Sequence, residues 1–316
     1  LKCYKHILFK STDREENIII PDDITVIAGG AFQDSINLKT IVLPKGLKSI
    51  GNAAFADCIN LEDIFIPEGI EYIGSLAFSD CKSLTEISIP ESINNIGNYT
   101  FESCEKLKSV DLPKKLENIG EGAFSDCIEL KRIVIPSQVK QIESAAFFDC
   151  INLEDIKFEG SPEYIGRAFQ NTKFYNNIRE DEHGCKYVGN HLIEAVDKER
   201  REIIIKEGTV SIANYAFYQS KIDSLVFPKG LEIIGYLAFG ECNNLKNVEF
   251  PEGVTYIGYR CFFDCKNLKK VYMPKSMENI GSEIFLNCKK LKEVTVSKTI
   301  ADSIEFDENV KLIYIE

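Results

Sequence analysis

The sequence predicts a parallel solenoid, in which coils of about 23 residues stack face on face and each adds one short strand to a sheet. Three observations predict it. Phenylalanine recurs at Phe32, Phe55, Phe78, Phe101, Phe124, Phe147 and Phe169, then at Phe217, Phe239, Phe262 and Phe285. Proline keeps the same step at Pro21, Pro44, Pro67, Pro90, Pro113 and Pro136, then at Pro228, Pro251 and Pro274. Cysteine follows at Cys58, Cys81, Cys104, Cys127 and Cys150, and resumes at Cys242, Cys265 and Cys288. A fixed register shared by three residue types means that each fills one structural slot in every copy.

Aligned, the unit reads L-x-x-I-x-I-P-x-x-V-x-x-I-G-x-x-A-F-x-x-C-x-x, and residues 61–83 are a clear copy. Leu61, Ile64 and Ile66 alternate with Asp63 and Phe65, the period of a strand with one face buried. Pro67 ends that strand, since it has no N–H for a ladder. Ile70 and Ile73 point inward again, and Gly74 opens the turn to Ala77-Phe78. Ala28, Ala213 and Glu143 replace glycine in that slot, so a positive φ is not obligatory there, and tight reversal or close stacking explains the glycine better. The Ala-Phe-x-x-Cys stretch is short enough for a single turn of α- or 3₁₀-helix opposite the strand.

These elements together resemble the BspA-type leucine-rich repeat of bacterial surface proteins, with I-x-I-P, I-G-x-x-A-F and the cysteine all present across about 18–173 and 203–297. The resemblance implies a leucine-rich-repeat solenoid of the α/β repeat class, dominated by β structure. It also implies a secreted or surface-anchored protein that adheres to host proteins or other cells.

The pattern breaks at 174–202, where Gly189-Asn190 between Tyr187-Val188 and Leu192-Ile193 predicts a β-hairpin. Phe169 and Phe217 lie 48 residues apart, so the hairpin replaces about one coil. His6-Ile7-Leu8 echoes His191-Leu192-Ile193, which makes 1–17 a second hairpin in the place of an N-terminal cap. Residues 297–316 lose the repeat and end in the apolar run Lys311–Ile315, the expected C-terminal cap. The organisation expected is therefore one solenoid over 1–316: a cap at 1–17, repeats at 18–173 and 203–296, the insertion between them, and a cap at 297–316.

The net charge of −12 disfavours nucleic acid and anionic membranes as partners, because both would repel the surface. No run of about 18 apolar residues offers a membrane span. Residue 1 is leucine and no basic-apolar leader precedes the repeats, so the chain reads as processed or trimmed.

Candidate chemistry is sparse. The cysteine ladder reads as buried free thiols acting as small apolar fillers, because parallel side chains in register point the same way. Cys261 and Cys265 have a spacing that can bind metal, yet Cys261 sits in a slot that is elsewhere alanine. His183, Cys185 and His191 in the insertion are a possible zinc set with no fourth ligand fixed by spacing. The acidic residues before the cysteines, such as Asp57, Asp80 and Asp126, could line up for calcium or could simply cap turns. There is no HExxH, GxSxG, P-loop or GxGxxG arrangement. The expectation is a non-enzymatic protein without a cofactor.

Binding is expected on the outward strand positions, which vary between copies while the inward slots stay constant. The residues singled out are Asp63, Phe65, Glu86, Asp111, Arg132, Val134, Lys157, Glu249, Lys270 and Tyr272. Aromatic and arginine anchors dominate protein interfaces, which favours a protein ligand such as a host or extracellular-matrix protein. A glycan- or cell-wall-binding module and a structural stalk are the alternatives.

Overall fold

The computed structural model describes residues 1–11, 15–306 and 309–315, which fall into two compact units. One comprises Leu1–Pro162 with Ala168–Asn177, the other Glu163–Arg167 with Ile178–Glu316. Each is a parallel β-solenoid of the predicted kind.

In the first unit Asn17–Ile19, Thr40–Val42 and Asp63–Ile64 pair side by side, with Asn17 opposite Thr40 and Thr40 opposite Asp63. Glu86–Ser88 pairs with Ser109–Asp111, and Arg132–Ile135 with Asp155–Phe158, at the same 23-residue step. A second series of strands, only two residues long, follows each proline: Val26–Ile27, Ser49–Ile50 and Tyr72–Ile73, then Asn95–Ile96, Asn118–Ile119 and Gln141–Ile142. The inward isoleucines expected there from the repeat lie on these strands, which the sequence pattern does not signal. The inward leucines, isoleucines and phenylalanines of both series form the core.

The turn edge differs from the expected helical turn. In the coil 51–58, Ala54, Ala56 and Cys58 donate their N–H within the coil to Gly51, Ala53 and Phe55. Ala53, Phe55 and Asp57 donate instead to Ser75, Ala77 and Ser79 of the next coil, at 2.9, 2.8 and 2.9 Å. The alternation needs a left-handed residue at Ala53 (φ 53°) and again at Asp57 (φ 59°), and it repeats at Leu76 (φ 60°) and Asp80 (φ 57°). A helix would turn every N–H inward and leave the next coil unbonded. The acidic column is thereby explained: Asp and Asn tolerate the left-handed region better than most residues.

The phenylalanines stack along this edge from Phe32 to Phe169 with centroids 5.0–5.5 Å apart and planes within 10°. Each cysteine of the 23-residue ladder donates its thiol to the carbonyl of the preceding coil's phenylalanine, as Cys81 does to Phe55 at 3.3 Å. Thr172 takes the cysteine slot in the last coil, and its hydroxyl accepts the N–H of Tyr175 in the helix Lys173–Asn177. That helix sets Phe174 edge-on against Phe169, 5.4 Å between centroids.

Lys2–Tyr4 and Ile7–Lys10 form an antiparallel hairpin, and Ile7–Leu8 pairs with Val26–Ile27 in parallel. In the second unit Cys185–Val188 and His191–Ala195 do the same, with His191–Leu192 pairing with Ser211–Ile212. The two hairpins are equivalents down to the N–H of Ser11 on Ala31 and that of Ala195 on Ala216. The register makes Ile7 the counterpart of His191, one residue away from the alignment on His6. Lys5 (φ 54°) and Gly189 (φ 58°) occupy the same turn position.

The second unit continues with Glu202–Ile204 paired to Ser224–Val226, then Asn247–Glu249, Lys270–Tyr272, Glu293–Ser297 and Lys311–Ile315 in one parallel series. Its phenylalanines stack from Phe217 to Phe285, and Phe306 extends the column, 6.2 Å from Phe285.

The glycine of I-G-x-x-A-F is held by close stacking. Its φ is not in the left-handed region, and a Cβ on Gly51 would lie 2.4 Å from the Gly29 nitrogen, one on Gly74 2.4 Å from the Asn52 nitrogen. Ala28 and Ala213 are tolerated because each follows a hairpin, which puts no such turn beneath them. Glu143 also fills the slot, and burial, with Glu121 adding repulsion, pushes its carboxyl above the usual range.

Two outcomes follow for stability. Gly51→Ala forces backbone against backbone and is expected to cost roughly 1–3 kcal/mol, whereas Ala53→Gly relieves a left-handed alanine and gains about 0.5 kcal/mol after the entropy of the unfolded glycine is counted. Denaturant midpoints that move in the same direction for both variants would contradict this. For Glu143 the ionised form is disfavoured in the folded state, so the penalty is present above its folded pKa and vanishes below its unfolded one. Glu143→Gln is therefore expected to be more stable than the parent at neutral pH, with the difference shrinking as pH falls through the raised pKa.

Candidate interaction face

The outward strand positions are where the sequence expects them. In the first unit Asp63, Phe65, Glu86, Asp111, Arg132 and Lys157 are exposed and Val134 is half-buried. In the second, Glu249 and Lys270 are exposed and Tyr272 is half-buried. Period-2 alternation forces this: the inward neighbours Ile64, Ile87, Ile133, Val248 and Val271 are all buried.

Charges on the face are partly paired, Arg132 and Lys270 with the next rung and Lys157 along its own strand. Arg132 Nε lies 3.8 Å from Asp155, Lys157 Nζ 3.4 Å from Glu159 and Lys270 Nζ 3.0 Å from Glu293. Exposed pairs of this sort contribute under about 1 kcal/mol, so they orient side chains more than they stabilise the fold. The Tyr272 hydroxyl donates to Glu252 at 3.2 Å, and burial followed by that bond holds its pKa above the usual value. Around Lys270 and Tyr272 the strands enclose a shallow depression of about 430 Å³, which Asn247, Glu249 and Glu293 also line.

One strong feature of the face is not visible in the sequence. Ile19 is 76% exposed, Val42 57% and Phe65 72%, and the three occupy the same outward slot on successive strands of the first unit. Ile19 was hidden inside the run Ile18-Ile19-Ile20, where period-2 alternation cannot be seen. A second feature is a tyrosine ladder on the turn edge of the second unit. Tyr236 stacks on Tyr259 at 5.7 Å, Tyr215 meets Tyr236 edge-on at 4.9 Å, and the Arg260 guanidinium covers Tyr259 at 4.8 Å. Glu283 accepts from both Arg260 and the Tyr259 hydroxyl. Ring faces in this ladder are turned to each other and to Arg260, so it packs the edge and offers no free platform.

The remaining candidates are dispersed. His191 Nδ1 meets Ser211 at 2.8 Å, and Cys185, on the facing hairpin strand, is opposite Ala195. Among the described residues no group of three or more His, Cys, Asp or Glu is placed to hold a metal ion. Cys265 donates to Phe239, and Cys261 is buried in the alanine slot. All eleven cysteines are free, and Cys3 is exposed while the other ten are buried. Burial pushes the Cys58, Cys185 and Cys242 thiols up to about 12, and the remaining ladder thiols that shift move in the same direction. Alkylation needs the thiolate. Iodoacetamide on the native chain at pH 8 is therefore expected to label Cys3 alone and to reach all eleven cysteines only after unfolding. Labelling of the ladder before unfolding would refute the buried reading.

Comparison with known proteins bears on this architecture. The sequence profile described as BspA type leucine rich repeat region (6 copies) matches residues 5–128, 76–194 and 210–313. Among solved structures, the chain is similar to a leucine-rich repeat protein from Bacteroides ovatus, 28% identical over 95% of this chain and 84% of that one, with a TM-score of 0.50. It is also similar to a leucine rich cell surface protein from Faecalibacterium prausnitzii, 23% identical over 96% of this chain and 94% of that one, with a TM-score of 0.48. Comparison with curated proteins gave no match.

Proposed function

Because the chain belongs to the BspA-type leucine-rich repeat family, we propose that it is a protein-interaction and adhesion module that engages a protein ligand through its outward strand positions. Repeat proteins of this fold typically bind other proteins and are typically not enzymes. The observation that carries the reading is the contrast between slots of one chain. Ile64, Ile87 and Ile133 hold one inward column, while the outward column beside it runs Asp63, Glu86, Ser109 and Arg132, from carboxylates through a hydroxyl to a guanidinium. Residues that a fold does not need, held on a frame that does not move, are what a partner can read. Phe65 and Arg132 are of the types that anchor interfaces.

The site is proposed as Asp63, Phe65, Glu86, Asp111, Arg132, Val134 and Lys157 in the first unit and Glu249, Lys270 and Tyr272 in the second. Residues 1–316 are proposed to work as a single array, with 1–17 and 297–316 shielding its ends. A cell-surface or extracellular location is proposed from the family alone. Among the described residues no helix is long and apolar enough to cross a membrane.

A protein ligand is preferred to a glycan because the tyrosine ladder on the turn edge of the second unit has its ring faces covered. The test is to immobilise the chain and probe it in parallel against extracellular-matrix proteins and a glycan array. Saturable binding to a protein, weakened by Arg132→Ala, is the expected result. Saturable glycan binding without protein binding, or silence on both, would overturn it.

A further inference from the structure

We propose that the stripe Ile19–Val42–Phe65 in the first unit is a docking site for a polypeptide segment carrying apolar side chains interspersed with lysine or arginine. This rests on the reading of the strand face as a protein-binding surface and names the chemistry of the partner. Ile19 is directly opposite Val42, and the pairing of Ile41 with Ile64 carries Phe65 to the next rung beside Val42. Adjacent parallel strands lie about 4.8 Å apart, so the three side chains form one contiguous apolar strip. They are exposed to 76, 57 and 72%, and the same slot continues as the polar Ser88 and Asp111 before the half-buried Val134. Large apolar groups held side by side in water mark an interaction site more reliably than scattered ones.

Charge selects the occupant. Asp63, two residues before Phe65, and Glu86 on the following rung border the strip, and among the described residues neither has a basic partner. Lys39, which precedes the strand Thr40–Val42, is already engaged, its Nζ 2.8 Å from Glu16. A second copy of this chain, with its net charge of −12, would set carboxylates against carboxylates. A basic-apolar segment satisfies both the strip and its rim. The second unit supplies an internal comparison. Ile204 opposite Val226 starts an equivalent strip, exposed to 52 and 55%, but Glu249 interrupts it at the next rung.

The test is selection of a random peptide display library on the full chain, repeated on the double variant Val42→Ser/Phe65→Ser and on Val226→Ser. The substituted side chains are exposed, and circular dichroism with a denaturant midpoint checks that each variant keeps its fold. Enriched peptides should combine leucine, isoleucine or phenylalanine with lysine or arginine. As synthetic peptides they should bind the parent, lose roughly tenfold or more on the double variant, weaken with salt, and bind Val226→Ser unchanged. No enrichment, enrichment of acidic peptides, or equal binding to the double variant overturns the proposal. So does sedimentation showing a dimer of the parent that the double variant abolishes, since the strip would then be covered by a second copy. A matrix protein that binds the parent and the double variant equally would sink this inference and leave the broader reading intact. Peptide capture by the parent with no matrix-protein binding would support this inference and count against matrix proteins as the ligand.

Discussion

The structure depends on backbone meeting backbone at the turn edge. Every second N–H of the segment 53–57 leaves its own coil for the next, and the same is true one repeat later at Leu76, Phe78 and Asp80. Buried peptide groups must find partners, so these bonds tie each coil to its successor at a fixed register. Coil length follows from it. A repeat one residue longer would bring the wrong N–H opposite each carbonyl and shift the phenylalanine out of its column. The glycine slot follows as well, since the chains approach closely enough at Gly51 and Gly74 that no Cβ fits. The same geometry demands two left-handed residues per coil. For Leu76, Tyr99, Leu237 and Arg260 that conformation costs about 1–2 kcal/mol each, tolerable only because inter-coil bonds and stacking repeat with every rung.

Cysteine belongs to this arrangement for a reason that packing alone does not supply. The Phe55 carbonyl accepts the N–H of Cys58 in its own coil and the thiol of Cys81 in the next, at 3.2 and 3.3 Å. A thiol is small and apolar enough for the core yet still donates weakly to the second lone pair of the carbonyl. A hydroxyl at the same place demands more. Thr172 meets that demand by bonding Phe169 in its own coil and capping a helix, while the Ser220 hydroxyl is buried without a partner among the described residues.

Much of this was legible because copies within one chain act as their own comparison. Inward columns, strand ends at proline and the reason for the glycine could all be read from slots that repeat. The turn conformation could not. Left-handed residues are signalled by Gly, Asn and Asp, and while Asp57 and Asp80 fit that signal, leucine, tyrosine and arginine fill the other left-handed slot and conceal it. The second strand of each coil was invisible because two residues carry no periodicity. The hairpin pair was recognised but misaligned by one, since histidine identity was matched where strand register decides. The outward face was legible by position and not by consequence. Alternation located Phe65, but only pairing shows that Ile19 and Val42 lie beside it.

A face built this way constrains how any partner can bind. Its side chains stand in columns fixed by strand spacing, and the depression around Lys270 and Tyr272 is open and shallow. No single rung encloses a ligand, so affinity has to accumulate over several. Buried apolar area supplies most of it at about 25 cal/mol per Å², which gives Ile19, Val42 and Phe65 more weight than the ion pairs at Arg132 or Lys270, whose charges already have partners on the next strand. Those pairs must be broken or shared before a partner can use them. The carboxylates without basic partners need no such rearrangement. In the first unit the proposed strip and its acidic rim are thus the part of the face that a partner could use without first breaking an ion pair.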